Sequence, residues 1–467
     1  MKRSLLIALL VAIAATIGCG GASSSNQISS QNSAPAVFVT GEDAPASSVV
    51  GFNVTIDKIT LNNSSSTVTA VSTPEAVDFA RLMGLRTLLG FNTITPGTYD
   101  SVTFTFENTS PAPVISYVDV TTTPPSVQTL TGSFSQTTVT VPFPAGAPLV
   151  VSKNGLAGLR IDFDVDDSLV LNAGQITGTI NPVINVSAVS ASEEVGEITD
   201  FTGNVVSVSA PDSFLMQGPY GMPRTIDVNA NTQYNRSNSL STLTPNAVVS
   251  VTGTMQADGS ILANCVELIT TDKAFVSGRI LAVNPTSGPV QTVTMWIGEE
   301  LGTSAMLPVD TVQTIDLSGV PSGSYDICFF DNWLTQQVFS DISLVVGQRI
   351  FIGGTVGGTT FTPDMVSLRR QGVVGALVSN SVTVTGGTGS NQGYFQMQND
   401  ALMSYSAGGA FTVYTGDATK FENINGLSGL AAAGTPNLIA RGLVFKNPTS
   451  GKPFVVAGRV RVLPTGQ

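Results

Sequence analysis

The sequence contains no histidine. Histidine is the base in Ser-His-Asp and Cys-His nucleophile systems and a ligand in most catalytic zinc sites, so these centres are excluded. A GxSxG nucleophile elbow and a GxxxxGKS or GxxxxGKT phosphate loop are also missing. No pair of carboxylates is marked out by its spacing for glycoside hydrolysis. We therefore predict that the chain is not an enzyme.

Charged residues are scarce, at 11% of the chain, against roughly 25% in average domains. The 20 lysines and arginines are outnumbered by 32 aspartates and glutamates, which gives a net charge of −12. A nucleic-acid surface needs clustered basic side chains to neutralise phosphates. We predict no nucleic-acid partner.

A long apolar segment is missing from the N-terminus. The apolar run from Leu5 to Ile17 follows Lys2 and Arg3, and it is shorter than the roughly 20 residues that a membrane span requires. A basic start, a short apolar run and small residues after it are typical of a secretory signal. Residues 1–18 are predicted to be a signal peptide.

Residues Thr16-Ile17-Gly18-Cys19 resemble a bacterial lipobox. The resemblance implies cleavage before Cys19 and a lipid on its sulfur, which would hold the chain stably at a membrane. Thr16 stands where the lipobox usually has leucine, so a plain cleavable signal or an uncut one is the alternative. Gly20 lacks the aspartate of inner-membrane retention, which favours an extracytoplasmic address at the outer membrane.

Residues 19–36 are rich in Ser, Gly, Asn and Gln and show no apolar period. We predict a lipidated flexible tether there. With Cys19 assigned to lipid, Cys265 and Cys328 are the remaining cysteines. They either form a disulfide or stay buried as thiols, and they are too few for a thiolate metal cage.

Short runs of alternating apolar and polar residues dominate from Val37 onward, as in Ser101 to Phe106. This period of two predicts strands. One helix is predicted at Phe79 to Leu89, where leucines share a face and Gly90 supplies a stop. The expected fold class is all-β, with one short helix in the first domain.

Residues 37–192 contain the segments GEDAPASSVVGFNVTIDKITL, VDFARL, ITPGTYDSVTF, LRIDFDVDDSLVL and INPVINV, in that order. On these segments the region is similar to domain-of-unknown-function family 4382. The similarity implies a β-sandwich-like domain of bacterial surface lipoproteins with no established activity.

The chain then repeats itself. LTPNAVVSVTGT from Leu243 aligns without gaps on LVVGQRIFIGGT from Leu344, and Gly253 falls on Gly354. Recurrence of this kind indicates duplicated units, predicted as three small β-barrel-like repeats at 193–270, 271–369 and 370–467. The first and third resemble domain-of-unknown-function family 5666, which implies a small barrel related to the oligonucleotide- and oligosaccharide-binding fold. The acidic composition argues against the nucleic-acid part of that analogy.

One acidic group stands out. On a continued strand, Asp162, Asp164 and Asp166 would line one face beside Asp167, and calcium prefers such carboxylate oxygens. The alternative is a solvated strand face followed by an acidic turn. An EF-hand is excluded by its missing glycine and glutamate. Calcium is the one cofactor that the sequence suggests.

The middle repeat holds both tryptophans, Trp296 and Trp333, with Tyr325 nearby. Exposed aromatic rings would offer a platform for sugar rings, whereas alternation around Tyr325 favours core packing. We expect a lipid-anchored envelope protein with a structural or protein-interaction role, its partner an envelope protein or a glycan. The alternative is a carbohydrate-binding or adhesive protein, calcium-dependent if the acidic group binds that ion.

Overall fold

A computed structural model of the chain describes residues 34–44, 49–82, 86–119, 126–173, 175–190, 198–218, 223–237, 239–271, 274–303, 306–327, 338–387, 389–399 and 410–463. These residues form 35 strands and two short α-helices, which confirms the all-β prediction. The predicted signal peptide, Cys19, Cys328 and Trp333 lie outside the described residues. Across the described part, no helix has both the length and the apolar character of a membrane span.

The N-terminal domain contains strands β1 to β16. They are β1 (Ala36–Ala44), β2 (Val49–Asn62), β3 (Thr67–Val71), β4 (Glu75–Asp78), β5 (Thr87–Thr93), β6 (Gly97–Tyr99), β7 (Ser101–Phe106), β8 (Val114–Asp119), β9 (Ser126–Thr131), β10 (Ser133–Phe134), β11 (Thr138–Pro142), β12 (Leu149–Val151), β13 (Leu156–Asp164), β14 (Leu169–Asn172), β15 (Gln175–Ile180) and β16 (Ile184–Val189), with helix α1 (Val165–Ser168) after β13. One main sheet has the order β16-β13-β1-β5, and the other has β11-β7-β2-β8-β9.

The two main sheets enclose one apolar core. Strand β7 shows how the sequence builds it, because Val102, Phe104 and Phe106 are buried and alternate with half-buried polar residues. Phe163 of β13 lies 5.3 Å from Phe52 of β2, measured between ring centres, and so joins the two sheets. Alternation therefore places one face of each sheet in the core.

The predicted helix at Phe79 to Leu89 is wrong. Of the described residues in this segment, Phe79–Leu82 alone are helical, as a single 3-10 turn. Strand β5 begins at Thr87 and pairs with β1. Gly90 lies within β5 and does not end a helix. The position needs glycine because an added Cβ would lie 2.5 Å from the Val71 side chain. Pairing with a strand distant in sequence overrides the local leucine spacing.

Three modules follow, and their strands are arranged in the same order within each sheet. Their strands are β17 (Ile198–Ser209), β18 (Ser213–Gln217), β19 (Arg224–Asp227), β20 (Gln233–Asn235), β21 (Val248–Met255) and β22 (Ile261–Thr270) in the first; β23 (Ala274–Asn284), β24 (Thr292–Leu301), β25 (Thr311–Asp316), β26 (Tyr325–Ile327), β27 (Arg349–Gly357) and β28 (Thr360–Leu368) in the second; and β29 (Gln371–Leu377), β30 (Thr383–Val384), β31 (Gly393–Asn399), β32 (Ala410–Thr415), β33 (Lys420–Glu422), β34 (Asn437–Lys446) and β35 (Pro453–Val462), with helix α2 (Gly426–Ala432), in the third.

Strand pairing closes the first and third modules into five-stranded barrels. The first has the order β19-β18-β17-β21-β22, closed by pairing of β19 with β22. The third has the order β29-β34-β35-β32-β31, closed by β29 with β31. The second module repeats the order of the first, from β25 through β24, β23 and β27 to β28. The predicted repeats are confirmed as one topology used three times.

A glycine marks the same kink in each module, and the sequence alignment already paired the first two of these glycines. Strand register shifts at Gly253 in the first module, at Gly354 in the second and at Gly442 in the third. A Cβ at each position would meet the backbone of the partner strand, at Leu262, Thr362 and Val456 respectively. Glycine is therefore required where a strand bends to close a barrel.

The N-terminal domain contacts all three modules through buried side chains. Phe38 and Leu88 belong to the core of the first module. Trp296 of the second packs with Val50 and Val118. At the third module, Glu42 and Arg461 form an ion pair at 2.9 Å.

The modules also share cores with one another. Ile269 of the first packs with Phe275 and Phe351 of the second, and Phe445 of the third belongs to the core of the second. The amide nitrogen of Gln348 donates to the carbonyl oxygen of Val444 at 2.8 Å. The residues from Ala34 onward accordingly form one compact unit.

Candidate functional site

The four aspartates of the predicted calcium set are divided between a strand and a helical turn. Asp162 and Asp164 end β13, whereas Asp166 and Asp167 lie exposed in α1. Asp164 is buried and caps that turn, because its Oδ1 accepts a hydrogen bond from the Asp167 backbone at 3.0 Å. Among the described residues, no group of three or more acidic or cysteine side chains could hold a metal ion.

Asp162 instead faces the junction with the third module. It lies beside Glu42 in the parallel register of β1 and β13, and both line a cavity of about 270 Å³ with Arg461. Burial raises the pKa of Asp162 to about 7, and the charge of Glu42 adds to the rise while that of Arg461 opposes it. Burial alone would raise the pKa of Glu42 too, but Arg86 and Arg461 outweigh it and hold the value at about 2.

Two more carboxyl groups with raised pKa values lie at interdomain junctions. Burial, with a smaller effect of Asp78, raises the pKa of Asp310 to about 7. Its Oδ1 accepts a hydrogen bond from Asn53 of the N-terminal domain at 2.7 Å. Burial raises the pKa of Glu75 to about 6, against the lowering by Arg224 of the first module. These acids are packing groups between domains.

Stability should therefore fall as pH rises from 5 to 8. The folded state holds protons on Asp162 and Asp310 that the unfolded chain releases near pH 4, so their contribution is complete below about pH 4 and is lost as pH passes 7. Asp310→Asn keeps the acceptor for Asn53 and removes the titration. We expect a smaller decrease in melting temperature between pH 5 and 8 for this variant than for the wild type.

Asp316→Asn is the control. The Asp316 carboxylate is exposed, and hydrogen bonds from Ser318 lower its pKa, so it is ionised in both states throughout this range. A pH dependence that is the same in Asp310→Asn and in the wild type would show that Asp310 is not protonated in the fold.

Trp296 and Tyr325, the residues of the predicted aromatic set that the structure describes, do not form an exposed platform. Trp296 is 3% exposed, and a Cβ on Gly51 of the N-terminal domain would contact its ring. Tyr325 is half-buried, with its ring centre 6.0 Å from that of Phe339. Trp296 and Tyr325 therefore pack against other side chains, as the alternative interpretation of these residues expected.

An aromatic platform lies instead on the third module, in an open groove of about 920 Å³. Tyr394 of β31 and Tyr414 of β32 lie opposite each other in antiparallel register, with ring centres 5.9 Å apart. Their side chains are 36% and 41% exposed. Tyr414 meets the ring of Phe454 edge-on at 5.5 Å, and Phe454 stacks on the buried Phe445 at 5.6 Å. The exposed rings are thus backed by the core between two modules.

Polar groups at the rim of this aromatic groove are held in place by neighbouring turns. Oδ1 of Asp417 accepts a hydrogen bond from the Asn391 backbone at 3.0 Å. Oδ1 of Asn447 accepts from the backbones of Thr449 at 2.9 Å and Ser450 at 3.0 Å. Within the described residues, these bonds leave Oδ2 of Asp417 and Nδ2 of Asn447 to a ligand.

The sequence contains a signal for this groove, although the two tryptophans pointed to the middle repeat. Tyr394 lies on the exposed side of β31 with Gln396 and Gln398, whereas Phe395 and Met397 on the other side are buried. The exposed side of a half-buried strand usually carries polar residues, so an aromatic residue there breaks the alternating pattern. Such residues on two paired strands indicate a surface site.

Comparison with known proteins agrees with this architecture. The family model described as "Domain of unknown function (DUF4382)" matches residues 37–180, and that described as "Domain of unknown function (DUF5666)" matches residues 195–267. No curated protein matches the chain. The first match covers most of the N-terminal sandwich and the second covers the first barrel, so the chain contains a DUF4382 domain followed by a DUF5666 domain.

Proposed function

We propose that this protein is an outer-membrane lipoprotein with a noncatalytic binding role, which presents the aromatic groove of its third module as a rigid surface. The observation that carries the proposal is the way in which the N-terminal domain packs against every module through buried side chains. Such packing argues against independent hinging of the modules, because buried contacts between domains oppose their relative motion. A preorganised groove loses little entropy when it binds.

The acidic groups support a noncatalytic role. Asp162, Asp310 and Glu75, three of the carboxyl groups whose pKa values burial raises, lie at three different junctions between domains. A hydrolase of the two-carboxylate type needs its acids to converge on one cleft. The aromatic groove has Asp417 as its one acidic lining residue in the described chain.

Anchoring rests on the N-terminal sequence, in which Cys19 ends the lipobox-like segment. Expressed in a Gram-negative host, the full chain should incorporate labelled fatty acid and float with outer-membrane vesicles in a density gradient. We expect Cys19→Ala to abolish both the label and the flotation, because the chain then has no acyl group with which to partition.

Cys265→Ala serves as the matched control, since it removes a thiol from the first module and leaves position 19 intact. It should keep label and flotation at wild-type levels. Continued fatty-acid incorporation in Cys19→Ala would contradict the proposed anchor and the address that follows from it.

A further inference from the structure

The chemistry of the aromatic groove narrows the kind of ligand that it can take. The groove combines two half-exposed tyrosine rings with the Oδ2 of Asp417 and the Nδ2 of Asn447. A pyranose ring is apolar on its C–H faces and polar at its hydroxyl edge, so it satisfies rings below and amide or carboxylate groups beside it. The groove volume of about 920 Å³ lies within the range of small-molecule sites, roughly 300–1,000 Å³.

Anionic ligands do not fit this groove. No lysine or arginine lines it among the described residues, and Asp417 contributes a negative charge. Phosphate, sulfate or uronate groups would be bound without a counter-charge, on a chain whose net charge is already −12. A lipid headgroup and an acidic polysaccharide are disfavoured for the same reason.

A peptide that binds by adding a strand does not fit either. This common mode of peptide binding needs an open strand edge. Here β31 pairs with β29, β30 and β32, and β32 pairs with β31 and β35. The backbone groups under the groove are therefore occupied by their own sheet, and side-chain surface is what the groove offers.

We infer that the aromatic groove binds a neutral polysaccharide, with pyranose rings stacked on Tyr394 and Tyr414 and hydroxyl groups hydrogen-bonded to Asp417 and Asn447. This inference rests on the proposed binding role and names the class of ligand. The ring of Tyr414 is the better fixed of the two, because it contacts both Tyr394 and Phe454.

Affinity electrophoresis tests the inference with the detergent-solubilised full chain. Native gels contain dextran, amylopectin, mannan or mixed-linkage β-glucan, and a parallel gel contains alginate as the anionic comparison. At least one neutral polysaccharide should retard the wild type, while alginate should not. Tyr414→Ala should weaken that binding about tenfold, as expected when an aromatic contact of about 1.4 kcal/mol is lost.

Conservative and distant variants separate stacking from folding. Tyr414→Phe keeps the ring and should bind within about twofold of the wild type. Val312→Ala removes an exposed side chain from β25 of the second module and should leave the retardation unchanged. Equal melting temperatures of Tyr414→Ala and the wild type would exclude unfolding as the cause of lost binding.

Two results would overturn the inference: no retardation of the wild type by any of the four neutral polysaccharides, or the same retardation for Tyr414→Ala and the wild type. Crosslinking on intact cells distinguishes this failure from failure of the proposed function. If Tyr414→Ala loses an envelope component that the wild type and Val312→Ala capture, the groove binds another class of ligand and the binding role stands. If the wild type, Tyr414→Ala and Val312→Ala all capture the same components, or none of them captures any, the proposed function fails as well.

Discussion

Replacing Glu42 by glutamine is expected to lower the free energy of unfolding by about 3–5 kcal/mol, the usual cost of removing one partner from a buried ion pair. Glu42 is 3% exposed and accepts hydrogen bonds from Arg86 at 2.6 Å and Arg461 at 2.9 Å. Arg86 also faces the carboxylate of Glu422, at the longer distance of 3.9 Å. Urea unfolding followed by tryptophan fluorescence measures the loss.

Glu422→Gln is the matched comparison, because it removes a carboxylate from the same cluster at a more exposed position. The Glu422 side chain is 28% exposed, against 5% for Glu42, and solvent screens its ion pairs with Arg459 and Arg461. Glu422→Gln should lower the free energy of unfolding by about 1 kcal/mol. Equal losses in the two variants would show that burial does not set the strength of this cluster.

A double-mutant cycle isolates the bond between the N-terminal domain and the third module. Glu42→Gln combined with Arg461→Met should cost less than the sum of the two single changes, because the second substitution removes a charge that the first left without its partner. Strict additivity would place the two side chains out of contact.

Much of the fold could be predicted from the sequence because its rules are local. Alternation in Ser101 to Phe106 coincides with β7, and the glycines of the aligned segments mark register shifts in the structure. Thr232, directly before β20, and Thr419, directly before β33, even make the same hydrogen bond, each from Oγ1 to a strand carbonyl at 2.8 Å. Duplicated sequence therefore reproduces duplicated geometry down to single side chains.

What the sequence did not reveal depends on contacts between distant segments. The leucines after Phe79 satisfy a helical period, but Leu88 is buried because β5 lies beside β1 and against the first module. Trp296 is buried because another domain covers it. Tyr394 and Tyr414 become a site only through the register of β31 and β32, which neither strand encodes alone.

The acidic group shows the same limit at shorter range. A continued strand would have aligned Asp162 and Asp166, but the chain turns into α1 because Asp164 caps the helical turn. The position of Asp162 beside Glu42 comes from the parallel pairing of β1 with β13. The same carboxylates that suggested calcium thus contribute to an interdomain junction and to a helix cap.

Replacing Gly278 by alanine is expected to destabilise the protein by about 3 kcal/mol, at the upper end of the usual cost of overpacking a core. Gly278 lies in β23 opposite Ile350, and its φ is not in the left-handed region, so the cost is steric. An added Cβ would overlap the carbonyl oxygen of Trp296 and lie 2.9 Å from Met295 Cε. A backbone carbonyl cannot rotate away as a side chain can, so β23 and β24 must separate.

Gly203→Ala in the first module should cost about as much as Gly278→Ala. Gly203 pairs with Val249 as Gly278 pairs with Ile350, and a Cβ there would meet the carbonyl oxygen of Gln217. Gly319→Ala is the control: nothing lies within 4 Å of its added Cβ, and restriction of the unfolded chain should make this variant equal to the wild type or more stable by up to about 1 kcal/mol. Denaturation midpoints of the three variants decide the matter. A Gly278→Ala protein as stable as Gly319→Ala would mean that β23 and β24 do not approach each other closely at this point.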